Sequence, residues 1–126
     1  MPESSTSISS IHAELLKMLR AQSLYLREKS SGGSGHIFEG TKPAMQGRQK
    51  VDGFYFAGVM EKPKDVRLYF FPIYTHKDQF RISQELDRFL KGKSCFHIRR
   101  LSPDLKNEIS DMIRKGVELY REEGLI

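Results

Sequence analysis

Two aromatic segments set the limits on what this chain can become. Gly53-Phe54-Tyr55-Phe56-Ala57-Gly58-Val59-Met60 and Val66-Arg67-Leu68-Tyr69-Phe70-Phe71-Pro72-Ile73-Tyr74 are separated only by Glu61-Lys62-Pro63-Lys64-Asp65. Aromatic and β-branched side chains suit a pleated surface, and the polar, proline-containing connector suits a turn, so the pair predicts an antiparallel hairpin. Both segments are apolar on both faces over part of their length. That pattern predicts central strands covered on both sides.

The remaining chain supplies the cover. Ile8, Ile11, Leu15, Met18, Leu19 and Leu26 recur at helical spacing behind Ser9 or Ser10, which predicts a helix from about Ser10 to Lys29. Residues 1–9 read as a disordered tail, and the Gly/Ser stretch at 30–35 as a flexible connector. A short strand is expected over His36–Thr41 and a polar loop over Lys42–Asp52. Ser83 caps a helix running to about Leu90, with Gly92 as its C-terminal residue, and Ser94–Arg100 alternates like a strand. Ser102-Pro103-Asp104 combines a capping hydroxyl, a first-turn proline and a carboxylate at the positive end of the helix dipole. Leu105, Ile109, Met112, Ile113, Gly116, Leu119 and Tyr120 then form one apolar stripe. The expected fold is α+β, a small and mainly antiparallel sheet packed in two layers against N- and C-terminal helices, in a single domain over 10–126.

Composition narrows the function classes. The chain has 126 residues, room for one core, and a single cysteine, Cys95, so no intramolecular disulfide can form. Its start lacks the basic and then apolar pattern of a signal peptide, and the longest apolar run, Leu68–Ile73, is too short to cross a bilayer. A cytoplasmic protein of bacterial type with no membrane partner is expected.

Phe54-Tyr55-Phe56-Ala57-Gly58-Val59, Leu68-Tyr69-Phe70-Phe71-Pro72-Ile73-Tyr74 and Leu90-Lys91-Gly92-Lys93-Ser94-Cys95-Phe96-His97-Ile98 together resemble the YdhG-like family of small bacterial proteins, a domain of unknown function. The resemblance runs from about Gly53 to Gly124-Leu125-Ile126. It implies a compact two-layer α+β domain. Some members are described as frataxin-like iron chaperones that bind iron through surface carboxylates, which makes metal handling the alternative function. The acids here are scattered, with only Glu14 and Glu28 in the first helix, and no metal ligands are assigned.

Motif-like elements have plain readings. Lys91-Gly92-Lys93-Ser94 imitates the end of a phosphate-binding loop, but the motif needs glycine at position 87, where this chain has Asp87, and the strand and helix stand in the wrong order. Cys95 and His97 share a face of a strand, yet a nucleophilic pair also needs an oriented base and an oxyanion site, and zinc usually wants four ligands. A buried thiol beside a hydrogen-bonded histidine is the expected state. His12 and His36 have no partners at ligand spacing and read as structural or solvated. No catalytic residue and no cofactor is expected.

Charge is the sharper signal. Lys62 to Arg100 holds ten Lys/Arg against four Asp/Glu, whereas residues 1–61 are nearly balanced and 101–126 are net acidic. Strand parity puts Arg67, Tyr69, Phe71 and Ile73 on one face, and Cys95, His97 and Arg99 on one face. If those faces coincide, Arg67, Tyr69, Lys93, His97 and Arg99 line a pocket for a small anionic ligand, with Arg67 and Arg99 close together. The aromatics look buried and no nucleic-acid signature appears, so a nucleic-acid partner is not expected. An uncovered sheet face would suit a homodimer. The reading is a non-enzymatic binding domain.

Overall fold

The computed structural model describes residues 7–30, 32–33 and 35–126. Most of the expected tail, residues 1–6, and Ser31 and Ser34 of the Gly/Ser stretch lie outside the described residues. In chain order the elements are α1 (Ile8–Arg20), β1 (Leu26–Ser30), β2 (His36–Gly40), β3 (Ala44–Gln46), β4 (Gln49–Val51), β5 (Tyr55–Glu61), β6 (Val66–Phe70), α2 (Pro72–Thr75), a single 3-10 turn (Lys77–Gln79), α3 (Gln84–Asp87), β7 (Leu90–Lys91), β8 (Cys95–Ile98) and α4 (Pro103–Glu122). Six strands form one antiparallel sheet in the order β1-β2-β5-β6-β8-β7, and β3 and β4 pair as a separate small ladder. The fold is α+β, with the N- and C-terminal helices on a mainly antiparallel sheet.

The aromatic hairpin is the centre of that sheet. β5 and β6 pair Ala57 with Phe70, Val59 with Leu68 and Glu61 with Val66 on the helix side, and Gly58 with Tyr69 and Met60 with Arg67 on the other. Val66, Leu68 and Phe70 are buried, while Arg67 and Tyr69 between them are half-buried. Between Phe38 and Glu39 the β2–β5 register shifts, so that Phe38 faces Ala57 and Glu39 faces Tyr55, leaving Phe56 as an extra residue. This bulge turns Phe56 and Ala57 together toward the helices, where both are fully buried. In β5 it accounts for the run through Phe56 and Ala57 without cover on both faces, and in the second segment the run continues past Phe70 because the chain leaves β6 there and enters α2.

α4 lies against this aromatic wall because Gly116 has no side chain. A Cβ there would stand 2.8 Å from Phe70 Cζ and 3.0 Å from Phe56 Cε1. The Tyr120 ring meets Phe56 edge-on at 5.2 Å between centroids, and its hydroxyl donates to the Tyr55 carbonyl at the bulge. At the start of α4, Ser102 Oγ accepts from the Leu105 N–H and Pro103 occupies the first turn, as its sequence signature requires.

Several boundaries differ from expectation. The first helix stops at Arg20, and Leu26 belongs to β1, where it is buried from a strand. Its seven-residue offset from Leu19 fits a helical stripe by coincidence. The following Arg27-Glu28-Lys29-Ser30 forms a charged edge strand, a composition that discourages pairing with another chain. Ser83 does cap a helix, but only through Asp87. Leu90 and Lys91 pair with Phe96 and Cys95, and Gly92 (φ 73°) sits in the intervening hairpin turn instead of closing a helix. The loop over 42–52 contains the β3–β4 ladder. β6 ends at Phe70 because Pro72 cannot donate to a ladder and opens α2 instead.

Candidate functional site

The sheet face turned away from α1 and α4 gathers the chemistry. β6 and β8 pair Arg67 with His97 and Tyr69 with Cys95, and β7 sets Lys91 opposite Cys95. Arg67 and Tyr69 from one parity set and Cys95 and His97 from the other therefore share a face, whereas Phe71 and Ile73 lie beyond the end of β6 and Arg99 beyond the end of β8. Next to them, β5 contributes Tyr55, Gly58 and Met60 and β2 contributes Ile37. These residues, with Tyr69 and with His36 and Val59 at the floor, line a hollow of about 210 Å³. Gly58 lets the Tyr55 side chain lie across the strand at the edge of that hollow: a Cβ there would come within 2.8 Å of Tyr55 Oη and 3.7 Å of Tyr69 Cδ2.

Asp65, in the β5–β6 turn, organises the polar rim. It is buried, and its Oδ1 accepts from Arg67 Nε at 2.8 Å while Oδ2 stands 3.7 Å from His97 Nδ1. Engagement through Nε fixes the guanidinium plane, and the Arg67 side chain also hydrogen-bonds Tyr69. The hydrogen bond to Asp65 pushes the Arg67 pKa up, so its charge is permanent. Desolvation first, and then the neighbouring Arg67 cation, lower the pKa of His97, which holds it as a neutral imidazole near pH 7. Burial raises the Cys95 thiol, outweighing the opposing hydrogen bond from Tyr69 and the Arg67 charge. Burial likewise raises Tyr69, and raises Tyr55 strongly. Cys95 is thus a protonated thiol among neutral phenols, a hydrogen-bonding surface with no activated nucleophile.

The far flank of the hollow repeats the pattern. Glu39, paired with Tyr55 across β2 and β5, holds Lys29 Nζ at 2.8 Å and Arg27 at 3.0 Å. One flank therefore sets Arg27 and Lys29 on the single carboxylate of Glu39, and the other sets Arg67 on Asp65 with Lys91 nearby opposite Cys95.

Of the five residues expected to line the site, the structure pairs Arg67 with His97 across β6 and β8 and sets Tyr69 next to Arg67 on the same face, opposite Cys95. Lys93 sits in the β7–β8 turn with its ammonium 5.2 Å from the centre of the half-exposed Tyr74 ring. Arg99 follows the last residue of β8 and lies over the Phe89 ring at 6.0 Å, in a depression shared with Glu85, Arg88 and Arg100, whereas Arg67 stands among Asp65, Tyr69, Cys95 and His97. Asp65 escaped the sequence reading because it looked like turn punctuation, although two residues from Arg67 on extended chain puts it on the same side. The meeting of Tyr55 with Gly58 escaped it for a different reason. Unbroken parity sets them on opposite faces, and only the bulge at Phe56 puts them on one.

Among the described residues no group of three or more His, Cys, Asp or Glu side chains is arranged to hold a metal ion, and no helix is long and apolar enough to cross a membrane. Compared with known protein families, with curated proteins and with solved structures, the chain matches none.

Proposed function

We propose that this chain is a cytoplasmic binding domain, of the YdhG-like kind its sequence resembles, that takes up a small, partly aromatic anion on the uncovered sheet face. The observation that carries the reading is the hollow over Gly58, walled by Tyr55, Tyr69, Ile37 and Met60 and flanked on both sides by a surplus of cations over carboxylates. A planar apolar body fits between tyrosine rings, and an anionic group is drawn to the rim, where Arg67 carries its charge. A non-catalytic role is supported by the upward shift of Cys95, which removes the one thiol as a nucleophile at neutral pH.

Benzoate and phenyl phosphate are suitable probes, read by thermal shift and titration calorimetry, since a ligand that prefers the native state raises its apparent stability. Stabilisation of the wild-type chain that disappears in Arg67→Gln and in Gly58→Val is expected. Absence of any stabilisation by either probe, or stabilisation indifferent to both substitutions, rejects the reading. Light scattering of the same samples reports the competing occupant. A dimer that Tyr69→Glu dissociates would mean that a second copy covers this face.

A further inference from the structure

His12 and His36 are far apart in sequence, and the fold sets them side by side. α1 lies against β5, β5 pairs with β2, and His12 on α1 and His36 at the start of β2 meet with ring centroids 5.6 Å apart and planes inclined at 48°. Each ring is held from behind by a different carboxylate. His12 Nδ1 is 2.9 Å from Glu61 Oε1, and His36 Nδ1 is 2.9 Å from Glu28 Oε2. Glu28 is itself clamped by Arg20, whose Nε and Nη2 each donate to it at 2.8 Å.

The tautomers follow. An ionised carboxylate can only accept, so in each neutral ring Nδ1 carries the proton and Nε2 is left with a bare lone pair. His12 Nε2 is buried and has no hydrogen-bond partner among the described residues. An unpaired polar atom in a folded interior is costly and uncommon, and an imidazole lone pair is among the best metal donors a protein possesses. Metal-binding imidazoles have this outer arrangement as a rule: the far ring nitrogen donates to a carboxylate, which fixes the tautomer and strengthens the donor. With metal–nitrogen bonds of about 2.0–2.1 Å, each ring centroid lies about 3.2 Å from the ion, and two such rings at a tetrahedral angle stand about 5.2 Å apart. The observed separation is within a few tenths of an ångström of that spacing.

We propose that His12 and His36 form a two-imidazole site for a borderline divalent transition-metal ion, with zinc the best fit, bound through both Nε2 atoms while Glu61 and Glu28 hold the rings. Imidazole nitrogen selects zinc, copper or nickel over magnesium or calcium, so this chemistry differs from iron held by surface carboxylates. Two protein ligands leave a tetrahedral ion two further positions, filled by water, and the ion is therefore exchangeable. Because the ligands come from α1 and β2, the ion joins helix to sheet and binds only the folded chain.

Zinc chloride titrated into the wild-type chain by calorimetry, with thermal unfolding in parallel, tests this. Saturable binding of one ion per chain and a rise in unfolding temperature reversed by EDTA are expected. His36→Asn abolishes both, Glu61→Gln weakens binding by about 10- to 100-fold, and His76→Asn and His97→Asn leave it unchanged. If His12→Asn fails to fold, the imidazole nitrogen resonances of the wild-type chain answer for it, because zinc must move Nε2 of His12 and His36 and spare the other histidines. Absence of saturable zinc binding, or binding that survives in His36→Asn with the His12 resonance unmoved, overturns the proposal. Arg67→Gln retains zinc binding, so the outcome is independent of the sheet-face reading.

Discussion

Tyr120→Phe isolates a single bond between α4 and the bulge that shapes the sheet face. The Tyr120 side chain is fully buried, its ring is fixed edge-on by Phe54 and Phe56, and its hydroxyl donates to the Tyr55 carbonyl. Phenylalanine keeps the ring and its packing and removes only that donor. A net hydrogen bond contributes about 0.5–1.5 kcal/mol, and a carbonyl left without its donor in the interior adds to the loss, so the expected destabilisation is about 1–2 kcal/mol. Near 60 °C the unfolding entropy is about 2 cal/mol/K per residue, so for a chain of this length each kcal/mol lowers the unfolding temperature by about 4 °C. A fall of about 4–8 °C at pH 7 is therefore expected, with a matching shift of the urea midpoint at unchanged slope. The same experiment in alkali supplies an internal check. Burial raises the Tyr120 phenol well above its ordinary value of 10.0, with Glu123 adding to it. A phenol raised in the folded state stabilises fully below its unfolded pKa and loses that contribution as pH rises through the folded value. The gap between wild type and Tyr120→Phe should then narrow above pH 10. A variant within 1 °C of wild type at pH 7, or a gap that stays constant into alkali, refutes the role given to this hydroxyl.

Three further outcomes follow from the same geometry. Gly116→Ala should gain about 1 kcal/mol of helix propensity in an exposed helix, but here its Cβ would press on the buried rings of Phe70 and Phe56, an overpacking that costs about 1–3 kcal/mol, so denaturation should show a net loss of stability and a net gain would contradict the close approach. Iodoacetamide should alkylate Cys95 in the folded chain more slowly at pH 7.5 than the same thiol in urea, since burial holds the thiol protonated, and equal rates would reveal an open, activated cysteine. His97, whose folded pKa is lowered by desolvation and by Arg67, contributes stability that is present above its ordinary value of 6.5 and is lost as pH falls through the folded value. His97→Asn should therefore flatten the stability profile below pH 6.5 in denaturation curves, and an unaltered profile would assign the loss to other groups.

What could be read from the residues alone was local chemistry with few competitors. The Phe- and Tyr-dense hairpin at β5 and β6 and the Ser102-Pro103 start of α4 are cases in which propensity, capping and spacing agree. The α+β class follows from them, because a hairpin that apolar needs helices to cover it. The pairing of Arg67 with His97 was also within reach, since strand period fixes which residues share a face once two strands are known to be neighbours.

Tertiary structure decided the rest, and in each instance through long-range partners. Leu26-Arg27-Glu28-Lys29-Ser30 has no strong strand preference of its own and becomes β1 because β2 offers a ladder at His36–Gly40. Tyr55 and Gly58 share a face because β2 and β5 slip by one residue at Phe56, a shift written in neither strand separately. Helix and strand periods describe a single element, whereas the meeting of His12 with His36, or of Asp65 with His97, depends on which elements become neighbours, and only packing of the whole core settles that.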